Sequence, residues 1–454
     1  MITVPGKKDF EIAEKLARMA QESGGRAYYV GGCVRDKLLG RPGADLDMEI
    51  YGIPAGQLEA MLDSLGSRTG AGEIFGIYSL KEYELDIALP RTEVLTGAGH
   101  REFRITPDPD LDTKTACRRR DFTINAMLED VLTGEIIDHF HGREDLEKGL
   151  IRHIDSRFHE DPLRVLRAAS FAARFHYQVA EETREICRSM PLDTLTGERV
   201  HREMMQALMK AEKPSIFFEE LRKMGQLDVW FPELARLIGS EQSPEHHPEG
   251  DVWVHTMMVV DQAASLREQA IFAEPFMLSA LCHDFGKPDC FEVKDGKIHS
   301  YGHEKAGCMA ARAFLRRLEV RKEHIRYAEN MIYLHMRPNI LVRQQARNQS
   351  YARLFDQCLC PDDLLLLSKA DYTGRGGDVA YDFYEKALRD HLTAFRNLLS
   401  KPYVTGEDLV QEGLKPGKDF KELLAYAHKL RLSGVSRQTA LKQVRSYAHE
   451  HGMI

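Results

Sequence analysis

The chain has 454 residues, of which 43% are hydrophobic and 29% are charged, and its formal net charge is −8. The length exceeds one ordinary hydrophobic core and predicts about three domains. The composition excludes a largely disordered chain, and the acidic balance excludes a generic polyanion binder. Any nucleic-acid surface must therefore be local, and two arginine clusters could supply one: Arg118, Arg119 and Arg120, or Arg164, Arg167 and Arg174.

The lack of a recognisable targeting signal and the pattern of cysteines both favour a cytoplasmic location. The N-terminal segment has no apolar stretch of signal-peptide length, and no uncharged apolar run approaches about 18 residues. A cytoplasmic protein without a membrane partner is expected. The eight cysteines are scattered, and the close pair Cys358 and Cys360 lacks zinc-knuckle spacing, which favours reduced thiols.

The first predicted elements are strands and short helices. Apolar and turn residues predict a buried strand that enters a Gly-Gly turn, followed by a helix that ends at Gly40. Together with two later strands and a helix, these elements predict a small mixed sheet with helices on one side. In chain order, the ranges are 27–34 (strand), 35–40 (helix), 45–52 (strand), 55–65 (helix) and 83–91 (strand).

From about residue 157 the apolar residues recur at a spacing of three to four, which predicts helices to the end of the chain. A Ser/Pro/Gly/His-rich hinge at 240–251 and a segment at 401–409 indicate boundaries. The predicted fold class is α+β, a small sheet-and-helix head followed by an all-α neck, body and tail. The expected domains are a head (1–150), a helical neck (151–239), a helical domain (240–395) and a helical tail (396–454).

Two aspartates in the second strand are the first candidate site. Asp45 and Asp47 are two residues apart on a strand, so their carboxylates project the same way, as Mg²⁺ ligands require. A lone pair of this kind is weak evidence, because acidic residues are common on exposed strand faces. The preceding turn strengthens it, since Gly31 and Gly32 offer backbone N–H groups to a phosphate and Arg35 can bind one bidentately. Nucleotidyl transfer needs both features.

At this point the sequence resembles the class II tRNA nucleotidyltransferases (CCA-adding enzymes) and the similar bacterial poly(A) polymerases. The matching blocks occur in the family's order and at similar intervals. They are YYVGGCVRDKLLG (28–40), DLDMEIYG (45–52), RRDFTINAM (119–127), DHFHGREDL (138–146), EDPLRVLRAASFAARF (160–175) and ERVHREMM (198–205).

The resemblance assigns roles in the head. It implies that Asp45 and Asp47 hold the catalytic Mg²⁺, and that Gly32 and Arg35, at the Gly31 turn, contact the incoming triphosphate. Asp86 is the candidate for a third, supporting carboxylate, and the alternative is a solvated strand residue.

In the RRDFTINAM block, the resemblance implies that Arg120 contacts the nucleotide and that Asn125 lies nearby. Arg119 has the alternative role of a structural ion-pair partner.

The block EDPLRVLR is the candidate base-reading element. Helical spacing predicts that Asp161, Arg164 and Arg167 share one helix face. A carboxylate and a guanidinium can hydrogen-bond the Watson–Crick edges of C and A, although such a face is more often a surface salt-bridge ladder. The resemblance implies that Asp161 and Arg164 read the base, with Arg167 beside them. Many relatives carry an Arg three residues beyond Arg167, where this chain has Ser170, so a phosphate contact there is absent or relocated.

A second group of metal-ligand residues follows downstream. Adjacent His283 and Asp284 precede Gly286 and Lys287, a combination that suits a divalent metal and a phosphate. The strings HHPEGDVWVHTMMVVDQA, LSALCHDFGK and ADYTGR resemble the HD phosphohydrolase domain of some bacterial CCA-adding enzymes. The resemblance implies Lys287 as a phosphate contact and a transition metal such as Ni²⁺ or Mn²⁺, or Mg²⁺, held by His255, His283, Asp284 and Asp371, with His303 and His335 completing a two-metal set. A degenerate domain kept for packing is the alternative.

The leading hypothesis is an enzyme that builds or repairs the 3′-terminal CCA of tRNA from CTP and ATP without a template, with a metal-dependent phosphohydrolase activity in its HD domain. Relatives that share the same blocks polymerise A alone, or add only CC or only A. A different class of protein, a catalytically silent RNA-binding or signalling protein, is disfavoured by the intact Asp45 and Asp47. No DNA partner is expected.

Overall fold

The structure is a computed structural model that describes residues 6–41, 46–69, 77–95, 103–376, 380–414 and 416–453. Asp45, a predicted metal ligand, lies outside the described residues. The chain divides into two units, 1–230 and 231–454, and each is described by itself.

Strands dominate the first part of the first unit. In chain order they are β1 (Arg26–Val30), β2 (Leu46–Tyr51), β3 (Arg68–Thr69), β4 (Ile77–Leu80), β5 (Leu85–Ala88), β6 (Arg91–Leu95), β7 (Phe103–Pro107), β8 (Leu128–Asp130) and β9 (Ile136–Ile137). The main sheet has the order β3-β4-β5-β2-β1-β8-β9, while β6 pairs with β7. Since β2 and β5 are parallel and β1 is antiparallel to its neighbours, the predicted mixed sheet is confirmed.

Alternation along β2 separates the core from the site. Leu46, Met48 and Ile50 enter the hydrophobic core, so Asp47 and Glu49 face the opposite side of the sheet. The core is closed by α1 and α3, whereas the short helix α4 lies on the other face, which departs from the expectation of helices on one side. The helices up to residue 148 are α1 (Lys7–Glu22), α2 (Gly32–Leu38), α3 (Ala55–Leu65), α4 (Thr113–Cys117) and α5 (Gly142–Lys148).

The rest of the first unit is mainly helical. Its central helix spans Leu163–Phe175 and buries Ala168, Ala169, Ala172 and Ala173. These small side chains let neighbouring helices pack closely. A two-residue parallel pair, β10 (Leu150–Ile151) with β11 (Gln178–Val179), interrupts the helices. The helices are α6 (Leu163–Phe175), α7 (Glu181–Arg188), α8 (Gly197–Lys210), α9 (Ser215–Lys223) and α10 (Leu227–Trp230), and α6 packs against α8 and α9.

The described residues of the second unit form a bundle of helices with one hairpin. The helices up to residue 400 are α11 (Pro232–Ala235), α12 (Val252–Leu266), α13 (Ala273–Cys282), α14 (His303–Arg317), α15 (Lys322–Leu334), α16 (Arg337–Arg343), α17 (Asn348–Gln357), α18 (Pro361–Thr373) and α19 (Asp382–Ser400). The hairpin joins β12 (Glu292–Lys294) to β13 (Lys297–His299) and departs from the predicted run of helices. Its turn residues Asp295 and Gly296 both have positive φ, at 51° and 72°, as a two-residue hairpin turn demands.

Three helices at the C-terminal end share a small core of their own. Leu423 and Ala427 of the second of these helices pack with Val444 and Ala448 of the third. The helices are α20 (Gly406–Gln411), α21 (Asp419–Leu432) and α22 (Arg437–Glu450).

Within the described ranges, no helix combines the length and the apolar character needed to cross a bilayer. The longest of them, α19, has 19 residues and buries Leu388, Leu392 and Phe395 along one side. It is therefore an amphipathic helix of the bundle.

Candidate nucleotide and metal sites

The predicted acidic residues of the head lie on neighbouring strands. Asp47 on β2 and Asp86 on β5 are direct register partners in a parallel pair, so their side chains leave the same face of the sheet. Asp86 is exposed and accepts a 2.6 Å hydrogen bond from Ser79 Oγ. This face therefore carries two carboxylates that can share a cation.

The turn before α2 requires glycine for two reasons. Gly31 has φ of 75°, a conformation that side chains rarely adopt, and a Cβ there would lie 2.7 Å from a terminal nitrogen of Arg120. Gly32 begins α2. The predicted Gly-Gly turn is confirmed, and it brings the backbone close to the guanidinium of Arg120.

Arg35 belongs to a chain of charged and polar groups. Its Nη1 donates to Asn125 Oδ1 at 2.5 Å, and Asn125 Nδ2 donates to Asp121 Oδ1 at 2.9 Å. The other oxygen of Asp121 accepts Nε and Nη2 of Arg167 at 2.7 and 2.6 Å. Burial opposes ionisation of Asp121, but Arg167 and Asn125 outweigh it and lower its pKa. An ionised Asp121 thus holds two of the predicted nucleotide-binding arginines in place, one of them through Asn125.

Glu49 forms ion pairs with both Arg119 and Arg120. Its Oε1 lies 2.5 Å from Arg119 Nη2 and 3.0 Å from Arg120 Nη2, and its Oε2 accepts a 2.8 Å hydrogen bond from Tyr51. Burial disfavours the charged carboxylate, yet Arg120 and Arg119 lower its pKa below the ordinary value. The alternative for Arg119 as an ion-pair partner therefore agrees with this contact.

The base-reading residues lie differently from the sequence expectation. Asp161 is not on the helix face: it has an extended backbone before Pro162, because a residue that precedes proline avoids the helical region. Its carboxylate pairs with Arg199 at 3.3 Å. Arg164, in the first turn of α6, donates to the carbonyl oxygens of Arg119 and Arg157 at 2.7 and 2.9 Å.

One cavity of about 400 Å³ joins these groups. It contains most of the residues that the sequence singles out, whereas Asp86 is not among the described residues that line it. The lining consists of Gly31, Gly32, Arg35, Asp47, Arg119, Arg120, Asp121, Asn125, Asp161, Arg164, Arg167, Phe171 and Arg174. A wall of arginines and the strand that carries Asp47 therefore face the same space.

Sequence reasoning assigned no role to Asp121, to Arg199 or to the ring pair of Phe171 and Phe175. Asp121 stands directly after Arg120 in the RRDFTINAM block, which is the signal that could have identified it. The partner of Asp161, Arg199, is 38 residues away in sequence, and no spacing rule connects the two.

The second unit collects the predicted HD-domain residues. His255 lies within α12 and Asp371 within α18, while His283, His303 and His335 stand at helix ends. All of these side chains are buried. Five predicted ligands from five different helices are therefore buried in the interior of this unit.

Three of the histidines are oriented by backbone carbonyls. Nδ1 of His283, His303 and His335 lies 2.8, 2.9 and 2.7 Å from the carbonyl oxygens of Ala280, Ser300 and Ile332. A ring that donates from Nδ1 presents the lone pair of Nε2, which is the metal-binding form. Burial, followed by the neighbouring His283 and His303, lowers the pKa of His335 to about 3 and keeps that ring neutral.

Asp284 lies between two groups of ligands. Its Oδ2 is 3.2 Å from His283 Nε2 and 3.7 Å from His255 Nε2, while its Oδ1 is 3.5 Å from His303 Nε2 and 3.9 Å from His335 Nε2. Within the described residues, Oδ1 of Asp284 and Nε2 of His303 and His335 are buried without hydrogen-bond partners. Buried polar atoms in this condition are costly unless a ligand satisfies them, so the donor set fits divalent cations. Three groups of candidate ligands lie close enough together to hold a metal: His255, His283 and Asp371; Asp284, His303 and His335; and His247, Glu249 and His255.

Further charged groups surround the cluster. Lys287 Nζ lies 2.6 Å from Asp284 Oδ2 and donates to Gln242 Oε1 at 2.9 Å. Glu249, which the sequence did not single out, has Oε1 2.7 Å from His255 Nδ1 and 2.9 Å from His247 Nδ1. Despite burial, the hydrogen bonds from these two rings lower the pKa of Glu249 to about 2.

Gly286 allows α14 to approach the adjacent ligands His283 and Asp284. A Cβ at this position would lie 2.1 Å from the carbonyl oxygen of His303 and 2.4 Å from the backbone nitrogen of Gly307. Any side chain would force His303 away from Asp284. Beside the cluster, a cleft of about 170 Å³ reaches Asp371 and contains Arg343 and Arg375 among its lining residues.

The fold and the first site define the class of the protein. Residues 27–152 match the model of the poly(A) polymerase head domain, and residues 176–238 match that of a probable RNA and SrmB-binding site of polymerase A. The solved structures that the fold resembles include the Thermotoga maritima CCA-adding enzyme complexed with tRNA, with a TM-score of 0.65, 20% identity and coverage of 97% of this chain and 96% of that one. The Bacillus stearothermophilus CCA-adding enzyme in complex with CTP gives a TM-score of 0.67, 20% identity, and coverage of 98% and 99%. The protein is a nucleotidyltransferase.

Sequence relatives narrow this class to a family. The multifunctional CCA protein of Thioalkalivibrio sulfidiphilus is 37% identical over 417 residues, which cover 88% of this chain and 96% of that protein. The multifunctional CCA protein of Cupriavidus metallidurans is 34% identical over 434 residues, covering 92% of this chain and all of that protein. The chain belongs to the family of multifunctional CCA proteins, the bacterial class II CCA-adding enzymes, which are metal-dependent nucleotidyltransferases.

Proposed function

We propose that the first unit adds or repairs the 3′-terminal CCA of tRNA from CTP and ATP without a nucleic-acid template. The observation that carries the proposal is the single cavity in which Asp47, the Gly31 turn, the arginine wall and Asp161 meet. Its supports are the family membership of the chain and the tRNA, ATP and CTP named with the solved relatives.

The head supplies the chemistry of transfer. Asp45 and Asp47, with Asp86 as the third carboxylate, would hold Mg²⁺, which activates the attacking 3′ hydroxyl and neutralises the leaving pyrophosphate. Arg35 and Arg120 bind the triphosphate beside the Gly31 turn, with Gly32 at the start of α2. Because Glu49 already fixes Arg120 and Asn125 already fixes Arg35, little reorganisation is needed when the nucleotide binds.

Base selection belongs to the edge of the cavity formed by α6. Asp161 and Arg164 line the cavity, so both are within reach of a base whose triphosphate lies against the arginines. Arg164 now donates to two carbonyl oxygens and Asp161 pairs with Arg199, so base reading replaces these contacts with hydrogen bonds to the base. Arg167, fixed by Asp121, is the neighbour that keeps this wall in place.

Incorporation of labelled CMP and AMP into tRNA that lacks its 3′ end tests the proposal. Wild-type protein is expected to add C, C and A in turn to RNAs that end in the discriminator, C or CC, while Asp47→Ala adds none. A wild-type protein that incorporates nothing contradicts the proposal. Addition of A alone, or of only CC or only the final A, would instead assign a poly(A) polymerase or a partial-specificity enzyme.

We further propose that the HD-domain cluster of the second unit is a phosphohydrolase for phosphomonoesters or 2′,3′-cyclic phosphates, the ends that damaged RNA presents. The supporting observation is that Asp284 Oδ1 and the neighbouring Nε2 atoms of His303 and His335 are buried without hydrogen-bond partners and lie close enough together to hold a metal. Ni²⁺, Mn²⁺ or Mg²⁺ bound there would polarise the phosphoester and activate water. Lys287, with its ammonium 2.6 Å from Asp284, would neutralise charge on the phosphate.

The two activities can be tested against each other. Protein supplied with Ni²⁺, Mn²⁺ or Mg²⁺ is expected to hydrolyse a 2′,3′-cyclic nucleotide, and Asp284→Asn is expected to abolish this while nucleotide incorporation continues. Asp47→Ala should show the opposite pattern. Absence of turnover with all three metals contradicts the hydrolase activity and favours a domain kept for packing.

The cytoplasmic location and the four-domain division stay predictions.

A further inference from the structure

Arg174 differs from the other arginines that line the nucleotide cavity. Among the described lining residues, Arg35 pairs with Asp36 at 2.7 Å, and Arg119, Arg120 and Arg167 pair with Glu49 or Asp121. Arg164 donates to two carbonyl oxygens. Arg174 has no hydrogen bond and no ion pair with any residue in the described part of the chain. Within the described residues, no carboxylate therefore forms an ion pair with this cavity-lining cation, and Asp36 and Glu203 act on its charge only from a longer distance.

Packing holds the Arg174 guanidinium in place instead. Its Cζ lies 5.3 Å from the ring centre of Phe171 and 5.6 Å from that of Phe175, and the two rings are stacked at 5.7 Å with an interplanar angle of 8°. Arg35 Cζ lies over the same rings at 5.3 and 4.7 Å. Cation–π contacts can fix a guanidinium in this way. Burial, and after it the neighbouring Arg35, lowers the pKa of Arg174.

We propose that Arg174 binds the triphosphate of the incoming nucleotide together with Arg35. This inference rests on the proposed nucleotidyltransferase function and adds a specific contact to it. Two guanidinium groups on one pair of rings repel each other, and a polyanion that accepts hydrogen bonds from both relieves that repulsion. A base or ribose hydroxyl supplies no negative charge, so the triphosphate is the ligand that the unpaired cation favours.

Equilibrium binding to the full chain in Mg²⁺, without tRNA, tests the contact. Arg174→Gln keeps most of the side-chain stem against Phe171 and removes the charge. It is expected to weaken CTP, ATP and inorganic tripolyphosphate about tenfold, the loss of one charge-assisted hydrogen-bonded pair. CMP binding should change little, and Arg174→Lys should recover part of the affinity because it restores the charge.

Arg41 offers a matched control. Its Cζ lies 5.2 Å from the ring centre of Phe175, yet it is exposed and is not among the described residues that line the cavity. Arg41→Gln should therefore leave tripolyphosphate affinity unchanged.

Unchanged tripolyphosphate affinity in a folded Arg174→Gln protein overturns the inference. So does a rise in the KM for tRNA with triphosphate affinity intact, because that result assigns Arg174 to the primer. A wild-type protein that incorporates no nucleotide is a different failure, that of the proposed function itself.

Discussion

Asp47 and Asp86 occupy the same register position on the parallel strands β2 and β5. Side chains of register partners leave the sheet on one face and lie within reach of a shared ligand. The sequence left two roles open for Asp86, a third catalytic carboxylate or a solvated strand residue, and this register favours the first.

Asp86→Asn is expected to lower the rate of nucleotide incorporation about 100-fold, because a metal ligand contributes several kcal/mol of charge stabilisation. The measurement is single-turnover incorporation of CMP into tRNA that lacks its 3′ end. Glu84→Gln, an exposed neighbour two residues away, is the control and should stay near wild type. If Asp86→Asn behaves like this control, Asp86 is a solvated strand residue.

The Asp121–Arg167 pair predicts a coupling that single substitutions cannot reveal. Asp121 fixes Arg167 directly and Arg35 through Asn125, so its loss should loosen both guanidinium groups. Asp121→Asn and Arg167→Gln should each weaken CTP binding. The double variant should lose less than their sum, with a coupling of about 1–3 kcal/mol. Additive losses in CTP affinity across the four proteins would show that the two residues act independently.

Local sequence rules predicted the parts of the site whose geometry is local. Gly31 stands at the end of an apolar strand, and its positive φ follows from the turn required there. His283 and Asp284 end a buried apolar helix, where adjacent polar residues have few structural uses. The Asp295-Gly296 pair is also a local hairpin signal, and β12 and β13 could have been predicted from it.

Contacts across the fold could not be predicted in this way. Helical spacing placed Asp161 beside Arg164, but Pro162 excludes Asp161 from the helix and its partner is Arg199, on another helix. The contact of Glu49 with Arg119 and Arg120 spans 70 and 71 residues, and periodicity carries no information about it. Family resemblance supplied roles for such residues, while their hydrogen-bond partners emerge only from the packed chain.

Acid should destabilise the first unit through Glu49. The folded-state pKa of Glu49 is lowered, so its stabilising contribution is present above the unfolded-state pKa and is lost as the pH falls through the folded value. Glu49→Gln should reduce the free energy of unfolding at pH 7 by about 2 kcal/mol and make its fall below about pH 5 shallower. Denaturant unfolding at a series of pH values measures both effects.

The pKa of Glu203, in the same unit, is shifted in the opposite direction from that of Glu49. Burial raises its pKa, although Arg167 at 3.9 Å acts against this. A raised carboxyl pKa gives a contribution that is present below the unfolded-state pKa and is lost as the pH rises through the folded value. Glu203→Gln should therefore make the free energy of unfolding fall more steeply as the pH is lowered, whereas Glu49→Gln should make that fall shallower. Equal pH profiles for the two variants would contradict both assignments.

Glu249 should tune the metal affinity of the HD-domain cluster. His283, His303 and His335 are oriented by backbone carbonyls, which no substitution removes, whereas His255 is oriented by the Glu249 carboxylate at 2.7 Å. A carboxylate in this position fixes the tautomer and raises the basicity of the ring, and its loss typically costs 10–100-fold in metal affinity. Glu249→Gln is therefore expected to weaken Mn²⁺ binding by about that factor, measured by calorimetry on chelator-treated protein.

Glu245→Gln, which changes an exposed residue in the same segment, is the matched control and should bind Mn²⁺ as wild type does. Nucleotide incorporation should be the same in all three proteins, because the first unit contains its own carboxylates. Wild-type Mn²⁺ affinity in the Glu249 variant would mean that His255 needs no carboxylate to present Nε2. In that case the contact between Glu249 and His247 would be the remaining role for this buried carboxylate.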